Sequence, residues 1–244
     1  REAAADPSEE DINHEARNPV VAAFARGNRR SLVCAWLVTA LWGGGFYLTF
    51  VWMGVYTATL EEHPLPHAFL INSLSCLFSV CLLFQVAGIL SDLHGRRRIM
   101  LLGGVGTVLL SPLLFEVVGY GDPLAAFFAQ TSLGILLSLW GAPMCAWLVE
   151  SFPPAVRLTS VAVGYNLAMA TVGGFAPAAA TLCIDRFGTG KSVGYVLSAI
   201  AVLSVIALLC APPRRRPEGD QKSGGRGELG EHRCLGGGGQ EGVT

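Results

Sequence analysis

Between residues 31 and 211 the polar positions of the chain gather into short clusters, and long apolar runs fill the space between them. The runs cover residues 31–57, 68–90, 99–118, 124–149, 159–177 and 193–211. Each comes close to the ~20 apolar residues that carry a helix across a ~30 Å hydrocarbon core. Residues 68–90 and 99–115 contain no Asp, Glu, Lys or Arg at all. The pattern predicts six membrane-spanning helices. Between the second and third spans only residues 91–98 are available, so a tight turn at one membrane face is expected there.

Composition agrees with this reading. Hydrophobic residues make up 52% of the 244 residues and charged residues 14%, in blocks rather than amphipathic stripes, as in a polytopic helical membrane protein. The net charge of -1 conceals an asymmetry. Arginines cluster before the first span (Arg26, Arg29, Arg30), after the second (Arg96 to Arg98), at Arg157 and after the sixth (Arg214 to Arg216), whereas the opposite loops offer only Arg186 and Lys191. The positive-inside rule puts the clusters, and both ends of the chain, in the cytoplasm; the plasma membrane is the expected compartment. Basic residues that flank spans without an aromatic-basic surface give no support to nucleic-acid binding. The seven cysteines show no C-x-x-C or Cys/His metal spacing, and no metal or cofactor is expected. No H-E-x-x-H, no G-x-S-x-G and no paired membrane aspartates occur, which argues against an intramembrane enzyme.

Residues 1–17 are acidic and poor in large apolar side chains, and residues 214–244 are Gly-rich and polar; both are expected to be disordered. A short amphipathic stretch at residues 20–24 is expected to lie at the membrane surface. The chain opens on Arg1, without an initiator Met or a signal-peptide pattern, and so reads as a piece of something longer.

Several spans carry finer marks. Gly43, Gly44 and Gly45 in the first span each weaken a helix by about 1 kcal/mol relative to Ala. They mark either a broken helix at a substrate site or close helix packing. Asn72, Ser75 and Ser79 share one face of the second span, either lining a wet cavity or hydrogen-bonding to neighbouring helices. Gln130, Gly134, Ser138 and Gly141 lie on one side of the fourth span, which Pro143 is expected to kink. The third span has few polar groups and reads as peripheral, with Glu116 snorkelling from its outer end.

The sequence Gly88-Ile-Leu90-Ser91-Asp92-Leu-His-Gly95-Arg96-Arg97 resembles the signature loop G-x-L-(A/S)-D-x-x-G-R-R of the major facilitator superfamily. Glu150-x-Phe152-Pro153-x-x-x-Arg157-x-x-x-Val161-x-x-Gly164-Tyr165-Asn166, continuing to Gly173-Gly174-x-Ala176-Pro177, resembles the metabolite:proton symporters of that superfamily, which include proline/betaine, citrate and α-ketoglutarate carriers. The resemblance covers residues 18–213 and matches the C-terminal half of such a carrier.

It implies an all-α membrane fold in which six helices form one half of a transporter, with a missing N-terminal half as partner. It also implies proton-coupled symport of a small polar metabolite such as an organic acid, amino acid or betaine. The first, second, fourth and fifth spans would line the cavity, and the solute would meet Tyr47, Asn72, Gln130, Tyr165 and Asn166. Gly88, Asp92, Gly95, Arg96, Arg97, Glu150 and Arg157 would form a cytoplasmic gating latch. The alternative is a truncated, non-transporting six-span protein that assembles with or regulates a carrier.

Overall fold

The computed structural model describes residues 24, 28–60, 64–154 and 156–211. The expected linker 1–17, most of the amphipathic stretch, Arg26, residues 61–63 between the first and second spans and the tail 214–244 lie outside these residues. Six helices long and apolar enough to cross a membrane follow one another: α1 Arg29–Thr59, α2 Ala68–His94, α3 Arg96–Val118, α4 Pro123–Glu150, α5 Arg157–Phe187 and α6 Gly190–Cys210. Among the described residues there is no strand.

Local chemistry sets the helix ends. Asp122 caps α4: its Oδ2 accepts from the Ala125 amide at 3.1 Å, and Pro123 occupies the first helical position, where its missing N–H costs nothing. Gly188, at φ 64°, stops α5, with its amide on the Ile184 carbonyl at 2.8 Å. The expected tight turn at residues 91–98 is shorter than anticipated. Asp92 to His94 still belong to α2 and Arg96 to α3, leaving Gly95, at φ 94°, as the one non-helical residue between them. Any side chain there would be strained.

In lipid, helices associate through close packing and interhelical hydrogen bonds. The centre of the bundle is α1, two thirds buried, with α6, α5 and α4 around it. Trp140 donates its indole N–H to the Val38 carbonyl at 3.0 Å, and Ser204 its hydroxyl to that of Leu37 at 2.6 Å. The run Gly43 to Gly45 leaves α1 unbroken. A methyl on Gly43 would stand 3.0 Å from Met169 Sδ, and one on Gly44 3.1 Å from Val172 Cγ1, so the glycines are where α5 and α6 approach. The helix widens just beyond them, into π turns at Tyr47–Trp52 and Tyr56–Leu60. Further π turns fall at Leu77–Leu82 and Met169–Gly173.

The third span has two characters. Leu102, Leu109 and Leu113 are exposed, as a peripheral helix requires. The opposite side is tightly held: a methyl on Gly103 would lie 2.6 Å from the Leu136 carbonyl oxygen of α4, and one on Gly190 of α6 2.6 Å from that of Phe115. Glu116 pairs with Lys191 at 2.7 Å rather than standing alone. Pro143 is accommodated inside a continuous α4.

Candidate functional site

A polar seam joins α1, α2 and α4. The π turn at Tyr47–Trp52 places the carbonyls of Thr49 and Phe50 on the side facing α2 and α4, and two amides reach them. Gln130 Nε2 donates to the Thr49 carbonyl at 2.7 Å and also to Asn72 Oδ1, while Asn72 Nδ2 donates to the Phe50 carbonyl at 3.1 Å. Gln130 is only 3% exposed. Seven and eight residues further along their helices the seam continues, with Ser138 donating to the Ser79 carbonyl at 2.7 Å. Gly134 lies between, where a methyl would collide with the Ser79 hydroxyl and Phe50. Asn72 and Gln130, read from two different spans, therefore meet as one hydrogen-bonded pair. Their amides are turned into the helix contacts.

Tyr47, Tyr165 and Asn166 belong to the α1–α5 side. The edge of the Tyr47 ring lies over Gly173, where a methyl would come within 3.2 Å of its Cδ2. Tyr165 is partly buried against the core. Asn166 is exposed and folds its amide back to the Ala162 carbonyl of its own helix at 2.8 Å. Two indoles tie this side together: Trp36 donates to Thr171 Oγ1 at 3.1 Å and Trp52 to Thr181 Oγ1 at 3.0 Å. These Trp–Thr pairs escaped the sequence reading. The available signal was that an indole N–H in an apolar span needs an acceptor.

At the end of the bundle where α2 turns into α3, Arg96 sits between two carboxylates, 3.0 Å from Glu150 Oε1 and 3.6 Å from Asp92 Oδ1. Arg96 and Glu150 are the more sheltered of the three, Asp92 being 69% exposed. Arg157 donates to the Phe152 carbonyl at 3.3 Å, stiffening the turn between α4 and α5. Arg97 turns to α6 instead, donating to the carbonyls of Leu208 at 2.8 Å and Ala211 at 3.2 Å. Arg30 joins it there, on the Cys210 carbonyl at 2.8 Å. A helix C-terminus carries unsatisfied carbonyls and a partial negative charge, and the two guanidinium groups answer both. Ser91 is buried, with its hydroxyl on the Gly88 carbonyl at 2.7 Å; Gly88 itself faces open space.

The described residues contain no group of three His, Cys, Asp or Glu side chains that could hold a metal ion. What the arrangement offers is an uncharged polar seam within the helices and an ion-pair cluster at one end.

Comparison with known proteins gives these features a context. The sequence model of the Major Facilitator Superfamily matches residues 66–236. An inner membrane metabolite transport protein, YhjE of Escherichia coli strain K12, is 33% identical over 67% of this chain and 39% of its own length. The proline/betaine transporter of the same strain is 25% identical over 73% of this chain and 35% of its own. The citrate-proton symporter of Klebsiella pneumoniae is 25% identical over 74% and 40%. The matched stretch thus spans about two fifths of these relatives.

Proposed function

Because the chain belongs to the Major Facilitator Superfamily, we propose that residues 18–213 are the C-terminal six-helix half of a secondary transporter. On this reading it works with an N-terminal half by alternating access, moving a small polar organic solute together with protons. The solute class follows the relatives, which are named for proline/betaine and citrate-proton transport. Both termini of the chain face the cytoplasm, in the plasma membrane.

The observation that carries the proposal is the uneven burial of the helices. α1 and α4 have 67% and 56% of their apolar windows buried, whereas α2 and α5 have 17% and 22%. Yet α2 and α5 expose polar side chains (Gln85 and Asn166) that a helix facing lipid on all sides would not favour. Faces of this kind suit a cavity and a second half.

Within the spans no Asp or Glu sits away from the ends. The proton-binding carboxylates are therefore assigned to the other half. Tyr47, Tyr165 and Asn166 are proposed to meet the solute directly, and Asn72 and Gln130 to set the α1–α2–α4 spacing around it. The latch centres on Arg96 with Glu150 and Asp92 beside the Gly95 turn; Gly88, Arg97 and Arg157 flank it, with Arg97 tying α3 to the end of α6 and Arg157 holding the turn between α4 and α5.

Uptake assays in proteoliposomes test this. Protein holding an N-terminal half together with this chain should accumulate labelled proline, betaine or citrate when an inward proton gradient is applied. The chain from Arg1 to Thr244 alone should insert without uptake. Uptake by that chain alone, or none of these solutes moving under any gradient, would overturn the reading.

A further inference from the structure

We propose that a groove between the outer ends of α5 and α6 holds a single anionic phospholipid, with one acyl chain along α6 and the phosphate at Arg186. The groove has a volume of about 520 Å³ and is walled by Cys183 and Phe187 from α5 and by Ser192, Tyr195, Val196 and Ala199 from α6. That is ample room for a stretch of hydrocarbon.

Its floor runs on into an apolar track. Tyr195, Ala199, Val202, Ile206 and Leu209 are all exposed, and their spacing keeps them on one side of α6. At 1.5 Å per residue the track from Tyr195 to Leu209 runs about 20 Å, the groove included, longer than one leaflet of a ~30 Å hydrocarbon core. The track gives an acyl chain a continuous bed from the outer interface inward. Tyr195 and Phe187, 62% and 70% exposed, stand at the level where aromatic rings mark the headgroup boundary.

The charge at the mouth identifies the headgroup. Arg186 and Lys191 are the two Lys or Arg residues on the outer side of the described bundle, where basic residues are disfavoured. Lys191 is committed to Glu116 at 2.7 Å. Arg186 is exposed and makes no hydrogen bond or ion pair with any described residue. Cys183, Arg186 and Phe187 stand at i, i+3 and i+4, so the free guanidinium shares a helix face with two walls of the groove. Asp185, one residue earlier, projects about 100° away around the helix. A guanidinium with five donors matches a phosphate diester, and a headgroup of net negative charge leaves that match uncancelled.

The proposal does not depend on what the protein transports. For its test, the full chain is reconstituted in vesicles of mixed phosphatidylglycerol and phosphatidylcholine, extracted in mild detergent, and its retained lipids are counted by native mass spectrometry. One phosphatidylglycerol should remain in preference to phosphatidylcholine. Arg186→Gln should lower that preference roughly fivefold, and Arg186→Lys should keep most of it. Ala199→Trp, which fills the groove from a lipid-exposed position, should remove the retained lipid of either headgroup without moving the unfolding midpoint. Ala199→Leu should act in the same direction. A phosphatidylglycerol preference unchanged in Arg186→Gln, or a lipid still retained in Ala199→Trp, would overturn the proposal.

Discussion

Ser198 on α6 donates its hydroxyl, at 2.8 Å, to the Val108 carbonyl that Pro112 deprives of its usual amide partner on α3. Ser111, one residue before the proline, lies 2.9 Å from the same Ser198 hydroxyl and donates to the Gly194 carbonyl at 3.0 Å. The helix interruption and its remedy lie on different helices. Ser198→Ala should therefore destabilise the bundle by about 1 kcal/mol, within the range measured for interhelical hydrogen bonds in lipid. In a Pro112→Ala background, where the backbone restores its own bond, that loss should shrink towards zero. Unfolding titrations of the four proteins in a double-mutant cycle measure the coupling.

Gln130 serves two acceptors on two helices, Thr49 and Asn72. Gln130→Leu keeps the volume but leaves both without their donor in a buried place. A loss of about 1–3 kcal/mol is expected, with Asn72→Leu adding less in the double variant than it costs alone. Additive losses in a thermal unfolding series would show that the two amides do not act as a unit.

The glycines separate into those that packing requires and those it does not. Gly103→Ala brings a methyl against backbone atoms of Leu136 and Trp140, which cannot turn away; a cost of about 1–3 kcal/mol follows. At Gly88 nothing lies within 4 Å of a new methyl. Gly88→Ala should leave this bundle at least as stable, with a gain of up to about 1 kcal/mol, since Ala favours a helix over Gly. If α2 meets a second half there, the same substitution should lower transport by the complete carrier. Unfolding midpoints and uptake rates, measured side by side, check both arms.

Arg96 holds Glu150 more closely than Asp92. A pair at a wet membrane edge contributes only about 0–1 kcal/mol, too little to hold the fold yet enough to bias two states of similar free energy. Glu150→Gln is expected to shift the balance of inward-open and outward-open forms more than Asp92→Asn does, and both should leave expression near normal. Cysteine-accessibility labelling of the faces of α2 and α5 from each side of the membrane reads the populations. Equal shifts would put the two carboxylates on the same footing, and a collapse in protein level would make them folding determinants.

The spans were legible because each is a hydropathy block, and their ends because charge clusters separate the blocks. The second span illustrates the limit. Its apolar run stops at Leu90, but the helix continues to His94, since a helix end in water needs no apolar residues. The fifth reads as ending at Pro177 and in fact reaches Phe187, carried through the proline just after the π turn at Met169–Gly173. Nothing in the residue pattern announces a π turn. The candidate site was legible by helix face only: spacing puts Gln130 with Gly134 and Asn72 with Ser75. That the two faces meet depends on crossing geometry between segments 58 residues apart, which periodicity does not encode. The pairing of Arg96 with Asp92 was easier to read, because the two are neighbours on adjoining helix ends.

The grip of Arg30 and Arg97 on the last carbonyls of α6 has a consequence for how the chain can vary. On the proposed topology the positive charges that orient α1 and α3 in the membrane are the same groups that finish α6, so orientation and helix termination share two side chains. A lysine at position 97 would satisfy the first requirement and meet the second poorly: one nitrogen, Arg97 Nη2, serves both Leu208 and Ala211, and the lysine side chain is one atom shorter and does not carry its nitrogen as far. The sixth helix would then fray from its end while the protein still inserted the right way up. A defect of that kind would be invisible to any assay of topology.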